Sequence, residues 1–142
     1  MTTITDARNA IYNRWEDQWV VGTSARTEFV FENEAADELD AGTKPWARVT
    51  ARESGEAPDT TMGQVGARKY YRHGVMFVQL FSPTNQDGMT TAGDLADAVR
   101  AAFEGVRFDG IDVLPGVIRE AGPTGKWHLT VVEMPFRYEE TK

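Results

Sequence analysis

Val75-Met76-Phe77-Val78-Gln79-Leu80-Phe81 is apolar on both faces of an extended chain except at Gln79. Strand side chains alternate between faces, so such a run belongs in the middle of a sheet with something covering each side. Ser82-Pro83 ends it. Before it, residues 67–73, with the basic Arg68-Lys69-Tyr70-Tyr71-Arg72-His73, read as a second strand, with a hairpin expected near His73-Gly74. Further strands alternate in the same way. Phe29 and Phe31 share a face, and Ala47, Val49 and Ala51 oppose Trp46, Arg48, Thr50 and Arg52. After an Asp109-Gly110 turn, Ile111 and Val113 alternate. Residues 117–121 and 127–138 complete the strands, joined at Gly122-Pro123-Thr124-Gly125. Pro135 implies an edge or a bulge late in the last of them.

Two stretches have helical spacing instead. Ile4, Ala7, Ile11 and Trp15 recur at intervals of three and four, with Tyr12 and Trp19 widening the stripe. Thr3 with Asp6 forms a capping-box pattern, and Gly22 lies just beyond the end. The second stripe is Leu95, Ala98, Val99, Ala102 and Phe103, opened by Thr91 and Asp94 and closed by Gly105. The order helix, four strands, helix, three strands predicts one α+β domain over residues 1–142. It has a largely antiparallel or mixed sheet with two main helices packed on it.

Composition agrees with a globular chain. Of 142 residues, 41% are hydrophobic and 26% charged, enough for a core without staples. Cysteine is absent, which excludes disulfides, thiolate metal sites and cysteine nucleophiles. The first fifteen residues carry Asp6, Arg8 and Arg14 with no apolar core, so no secretory leader is expected. No run is long and apolar enough for a membrane span, and no membrane partner is expected.

The net charge of −7 is uneven: residues 1–60 hold 12 acids and 6 bases, residues 61–142 hold 10 and 9. Glu28, Glu32, Glu34, Asp37, Glu38 and Asp40 follow one another without a base. Such a run is either a solvated loop or a surface for a basic partner. Tight nucleic-acid binding needs the opposite charge balance. The basic stretch at residues 68–73 is split between the two faces of a strand, which suits sheet ladders better than a phosphate-binding patch.

Catalytic signatures are sparse. No nucleophile elbow, phosphate loop or zinc-protease helix pattern occurs. His73 and His128 are the only histidines and would make a metal or base site only if the fold brought them together. Glu139 and Glu140 are strand neighbours and point to opposite faces, so they are no acid/base pair. Gly63-Gln64-Val65-Gly66 matches a KH-type G-x-x-G by chance, since it precedes a strand. The aromatic residues either fill the core or line a small-molecule cavity between helix and curved sheet. That leaves a small α+β pocket protein as one reading, a ligand binder or a hydrolase or isomerase.

Several stretches, taken in order, resemble the bacteriophage tail terminator (tail completion) family. They include residues 10–15, 29–34 and 46–49, then Gly66-Ala67-Arg68-Lys69 and residues 74–83. Phe103-Glu104-Gly105, Gly122-Pro123-Thr124-Gly125-Lys126-Trp127 and residues 134–140 complete them. The resemblance covers nearly the whole chain and rests on packing and turn residues. It implies an α+β fold, a homo-oligomeric ring of usually six subunits, no catalysis and no cofactor. The ring would cap the head-proximal end of the tail tube, stop its polymerisation and dock the head connector, or head completion, protein. Genomic DNA would pass through the lumen without sequence-specific binding. The location implied is the virion tail at the head–tail interface, after assembly in the host cytoplasm. A head-to-tail ring needs two different complementary surfaces on each subunit. Glu34, Asp37 and Glu38 on one side and Arg68, Lys69 and Arg72 on the other are the candidate subunit contacts. Loop residues Asp59, Thr61, Gln64, Asn85, Gln86 and Asp87 are the candidate axial contacts.

Overall fold

The computed structural model describes residues 3–21, 24–25, 27–32, 34–42, 44–60, 63–64, 66–84 and 88–141. Helix α1 (Ile4–Trp19) begins where the capping box predicts: Thr3 accepts from the Asp6 amide, and the Asp6 carboxylate accepts from the Thr3 amide. It buries Ala7, Ile11, Trp15 and Trp19. Beyond it, β1 (Val20–Val21) and β2 (Ser24–Ala25) form a small antiparallel ribbon. Then come β3 (Glu28–Phe31), a short helix α2 (Asp37–Ala41), β4 (Trp46–Glu53), β5 (Asp59–Thr60) and β6 (Lys69–Pro83). Helix α3 (Gly88–Phe103) precedes β7 (Arg107–Phe108), β8 (Ile111–Val113), β9 (Val117–Thr124) and β10 (Trp127–Thr141).

The main sheet runs β3-β4-β6-β10-β8-β7, with β5 added on β6 and β9 on β10. Only β3 and β4 are parallel, so the sheet is mixed and the fold is α+β, as the element order predicts. Its spine is the pairing of β6 with β10, unbroken from Trp127 opposite Pro83 to Thr141 opposite Lys69. This corrects the expected hairpin at His73-Gly74: residues 69–83 are one strand. Gly74 is there for space, not for a turn. A side-chain carbon at that position would collide with the Phe136 ring and lie 2.7 Å from the Arg52 carbonyl oxygen.

The Asp109-Gly110 turn forms as predicted, with both residues at positive φ. The turn expected at 122–125 instead falls at residues 125–126, and β9 continues to Thr124 with an irregularity near Leu129. Pro135 sits between β6 and an interval on its other side, where β9 has ended opposite Glu133 and β8 begins opposite Phe136. Its carbonyl takes the Leu114 amide at 2.8 Å, and its missing N–H falls in the gap. The proline is therefore accommodated at a handover between partner strands.

Both main helices cover one face of the sheet, α1 over β4 and α3 over β6 and β10. Ala47, Val49, Ala51, Met76, Val78, Leu80, Val132, Met134 and Phe136 meet Ile11, Trp15, Val99 and Phe103 in one core. Arg14 joins the helices: its guanidinium donates to the Ala102 carbonyl at 2.9 and 3.1 Å, near the end of α3, and lies over Phe108. A cation there answers the unpaired carbonyls and negative end of the helix. The free edge of β4 beyond β3 is met by Arg8, which donates to the Ala51 carbonyl at 2.9 Å.

Candidate functional site

The other face of the sheet has no main helix over it. At one end the segment 34–42 folds across it, and Val30, Ala36, Trp46 and Trp127 make a second, smaller core with Leu39 and Phe81. Asp40 anchors this cover by accepting from the Trp127 indole at 3.0 Å. The acidic run is therefore not only a solvated loop: α2 gives it an apolar underside.

Past that cover the strand register sets out rows of side chains. Arg48 lies beside Gln79, Gln79 beside Val131, and Val131 beside Arg119. The next row is Thr50, Phe77, Glu133 and Val117, then Arg52, Val75 and Pro135. Val75, Phe77, Phe81, Leu129 and Val131 are half-buried, and Val117 is 51% exposed. The two-faced apolar run of β6 thus has one face in the core and the other facing outward. Glu32, Arg48, Thr50, Arg52, Phe77, Gln79 and Val131 line a cleft of about 290 Å³ on this face. A second cleft, about 570 Å³, opens beside α1 and is lined by Arg8, Asn9, Tyr12, Phe31, Glu32 and Arg52. The Glu32–Arg52 ion pair stands between the two. Tyr12 stacks on Phe31 at 4.1 Å, and burial raises its phenol above the ordinary value.

The expected interface residues lie far apart. Asp37 and Glu38 are exposed on α2, and Glu34 is exposed with its carboxylate accepting from the Phe31 amide at 2.9 Å. Lys69 opens β6 at its other end, fourteen strand positions from Pro83 or roughly 46 Å away. Arg68 is exposed just before the strand and donates to the Gly63 carbonyl. Arg72 is half-buried and engaged within the chain, 3.0 Å from the Glu140 carboxylate. Tyr71 likewise donates to Glu139 at 3.0 Å. The stretch that reads as basic is therefore partly neutralised, because β10 brings two carboxylates alongside it. The pairing partners are 68 residues away in sequence, beyond any local pattern.

Among the expected axial contacts, Asp59 lies in β5 and takes the His73 ring at 3.1 Å, and Gln64 is exposed. Thr61, Asn85, Gln86 and Asp87 lie outside the described residues. His128 is opposite Ser82, nine positions along β6 from His73, so the two imidazoles are about 30 Å apart and form no joint site. Among the described residues no three His, Asp or Glu side chains come together as a metal site.

Tyr138 closes the Arg72 end. It is buried and donates to Glu53 at 2.8 Å. Burial, then the Glu53 carboxylate, push its phenol well above the ordinary value. The folded chain thus holds this proton more tightly than the unfolded chain. The stability it contributes is complete below about pH 10 and is lost as pH rises through the ordinary tyrosine range toward the higher folded value. Tyr138→Phe is expected to cost about 1 kcal/mol near neutrality. It should also show a smaller alkaline loss than the parent, read from urea midpoints at about pH 7 and about pH 11. An undiminished alkaline loss would assign the effect instead to Tyr12 and to Tyr71, whose phenol is raised by its hydrogen bond to Glu139.

No protein-family model matches the chain, and no curated protein matches it. A solved structure known only by a sequence identifier shares the fold, with a TM-score of 0.60 at 16% identity. The match covers 92% of this chain and 91% of that one. At this identity the likeness shows the architecture alone: an α+β domain spanning most of both chains. No helix among the described residues is long and apolar enough to cross a membrane.

Proposed function

We propose that the chain is a structural subunit that assembles head-to-tail into a ring, as its resemblance to phage tail terminators implies. In that role it caps a tail tube at the head-proximal end and presents the surface on which the head connector docks. DNA passes through the lumen, and the net charge of −7 suits a channel that does not hold phosphates. The reading assigns the protein to the head–tail interface of the virion and gives it no catalytic step.

One observation carries it. The helix-free face sets half-buried Val75, Phe77, Leu129 and Val131, with exposed Val117, among charged and amide groups. Outward apolar area of this kind, rimmed by polar groups, is the composition of a protein–protein interface. The acidic α2 segment covers one end of this face and the apolar rows lie open beyond it, so the two are different patches, and a head-to-tail contact requires two.

Native mass spectrometry across a wide concentration range tests the proposal. A closed assembly near six times the 15.8 kDa chain mass is the expected result. A dimer that persists at high concentration would overturn it. A monomer would move the test to tail tubes, where added protein must stop tube growth for the reading to survive. A ligand-binding protein is the second reading, favoured by the cleft of about 570 Å³ with Arg8, Asn9 and Tyr12 on its wall. A persistent dimer would send the work there.

A further inference from the structure

Five arginines stand on the helix-free face, and four of them have carboxylate partners. Arg52 pairs with Glu32, Arg119 with Glu133 at 3.3 Å, and Arg107 and Arg137 share Asp112 at 3.1 and 3.2 Å. Arg48 is the exception among the described residues. Its guanidinium lies over the Trp46 ring at 5.5 Å, its Nε is buried, and that Nε has no hydrogen-bond partner. Thr50 lies two positions along the same strand, and Gln79 is directly across. Glu32 also lines the cleft, but its carboxylate is taken by Arg52, which leaves the Arg48 guanidinium, the Thr50 hydroxyl and the Gln79 carboxamide as a donor set for an incoming carboxylate. A buried, charged donor left unpaired is costly, so the cleft is incomplete in the isolated chain.

We propose that the Arg48 cleft receives a carboxylate from α2 of a second copy, Asp37 or Glu38. This rests on the ring reading above and names the contact that would close it. Asp37 and Glu38 are exposed and make no hydrogen bond or ion pair among the described residues. They sit in the stretch of six acids that contains no base. Their neighbours Leu39 and Asp40 fix the helix to Trp46 and Trp127, so the two carboxylates are held outward on a supported element. An unpaired cation in a recess and unpaired anions on a fixed projection are complementary surfaces of one chain.

The test is a charge exchange followed by native mass spectrometry. Arg48→Glu should raise the concentration needed for assembly on the order of tenfold or more, and so should Asp37→Lys combined with Glu38→Lys. All three changes together should recover assembly. Arg48→Gln, with thermal melts on every variant, separates loss of the contact from loss of the fold. Assembly unchanged in Arg48→Glu would overturn the proposal and leave the ring reading standing. Should the parent chain form no ring even on tube ends, the ring reading fails, and a separate measurement decides the cleft. Arginine Nε–H resonances would be followed as a peptide of residues 34–41 is added, with acetate as the control anion. A shift of Arg48 with the peptide and not with acetate supports the site. Equal response to acetate would make it a general anion site and overturn the assigned occupant, and no shift would overturn both.

Discussion

Trp15→Ala is expected to destabilise the domain by about 3–5 kcal/mol, the range for removing a large aromatic side chain from a core. Trp15 is fully buried and stacks on Trp19 at 4.3 Å, with Phe29 and Phe103 within 5.9 and 6.3 Å. It joins α1, β3 and α3 in a single aromatic cluster, so the cavity cannot be closed by moving one neighbour. Its indole N–H has no partner, so the whole loss is one of packing and no hydrogen bond is broken. Against a typical domain stability of about 5–15 kcal/mol, that loss is roughly three-fifths or more at the lower end. Chemical denaturation followed by circular dichroism reads it directly. A cost below about 1 kcal/mol would mean that α1 does not seat its tryptophans in the core as described.

Gly116→Ala is the second large effect, expected near 3 kcal/mol, the upper end for overpacking. The segment 114–116 passes over β10 so closely that an added methyl would overlap the Glu133 carbonyl oxygen and lie 2.6 Å from Met134 Cγ. The obstacle is backbone, and it has no room to give: Glu133 is held by Phe77 of β6 on one side and Val117 of β9 on the other. Gly116 also donates its amide to Glu104 at 3.2 Å, tying this crossing to the end of α3. Gly93→Ala is the matched control. It lies exposed in α3 with open space at its Cβ position, and alanine there should stabilise by up to about 1 kcal/mol. Equal urea midpoints for the two variants would contradict the close approach.

Where local chemistry decides, the sequence was readable. The α1 stripe and the Thr3–Asp6 box need only residues three and four apart, and the Asp109-Gly110 turn needs two adjacent ones. On α3 the buried side is Ala92, Ala96, Val99 and Phe103, turned slightly from the expected stripe, because small residues sit closest to the sheet. What failed depended on distant partners. Gly74 looks like a turn because glycine usually marks one, and only the Phe136 ring, 62 residues on, shows that it makes room. Arg72 looks like a free cation until β10 places Glu140 against it. Arg48 reads as an ordinary outward strand residue. Its isolation is visible only when the partners of the four arginines around it are known.

The length of the β6–β10 pairing bears on how the chain is made. β10 also supplies the docking edge for β8 and β9, so the sheet's central strand is the last of the described elements to be synthesised. The helices close through local contacts, but β6 joins residues as distant as Lys69 and Thr141. At about 5–20 residues per second, translating the 44 positions from Pro83 to Trp127 takes roughly 2–9 s. For that interval β6, with its two-faced apolar run at residues 75–81, lacks the partner that pairs along its whole length. Nascent-chain survival is therefore governed by what shields β6 before its partner arrives, and a slowed ribosome between the two strands would lengthen the exposure.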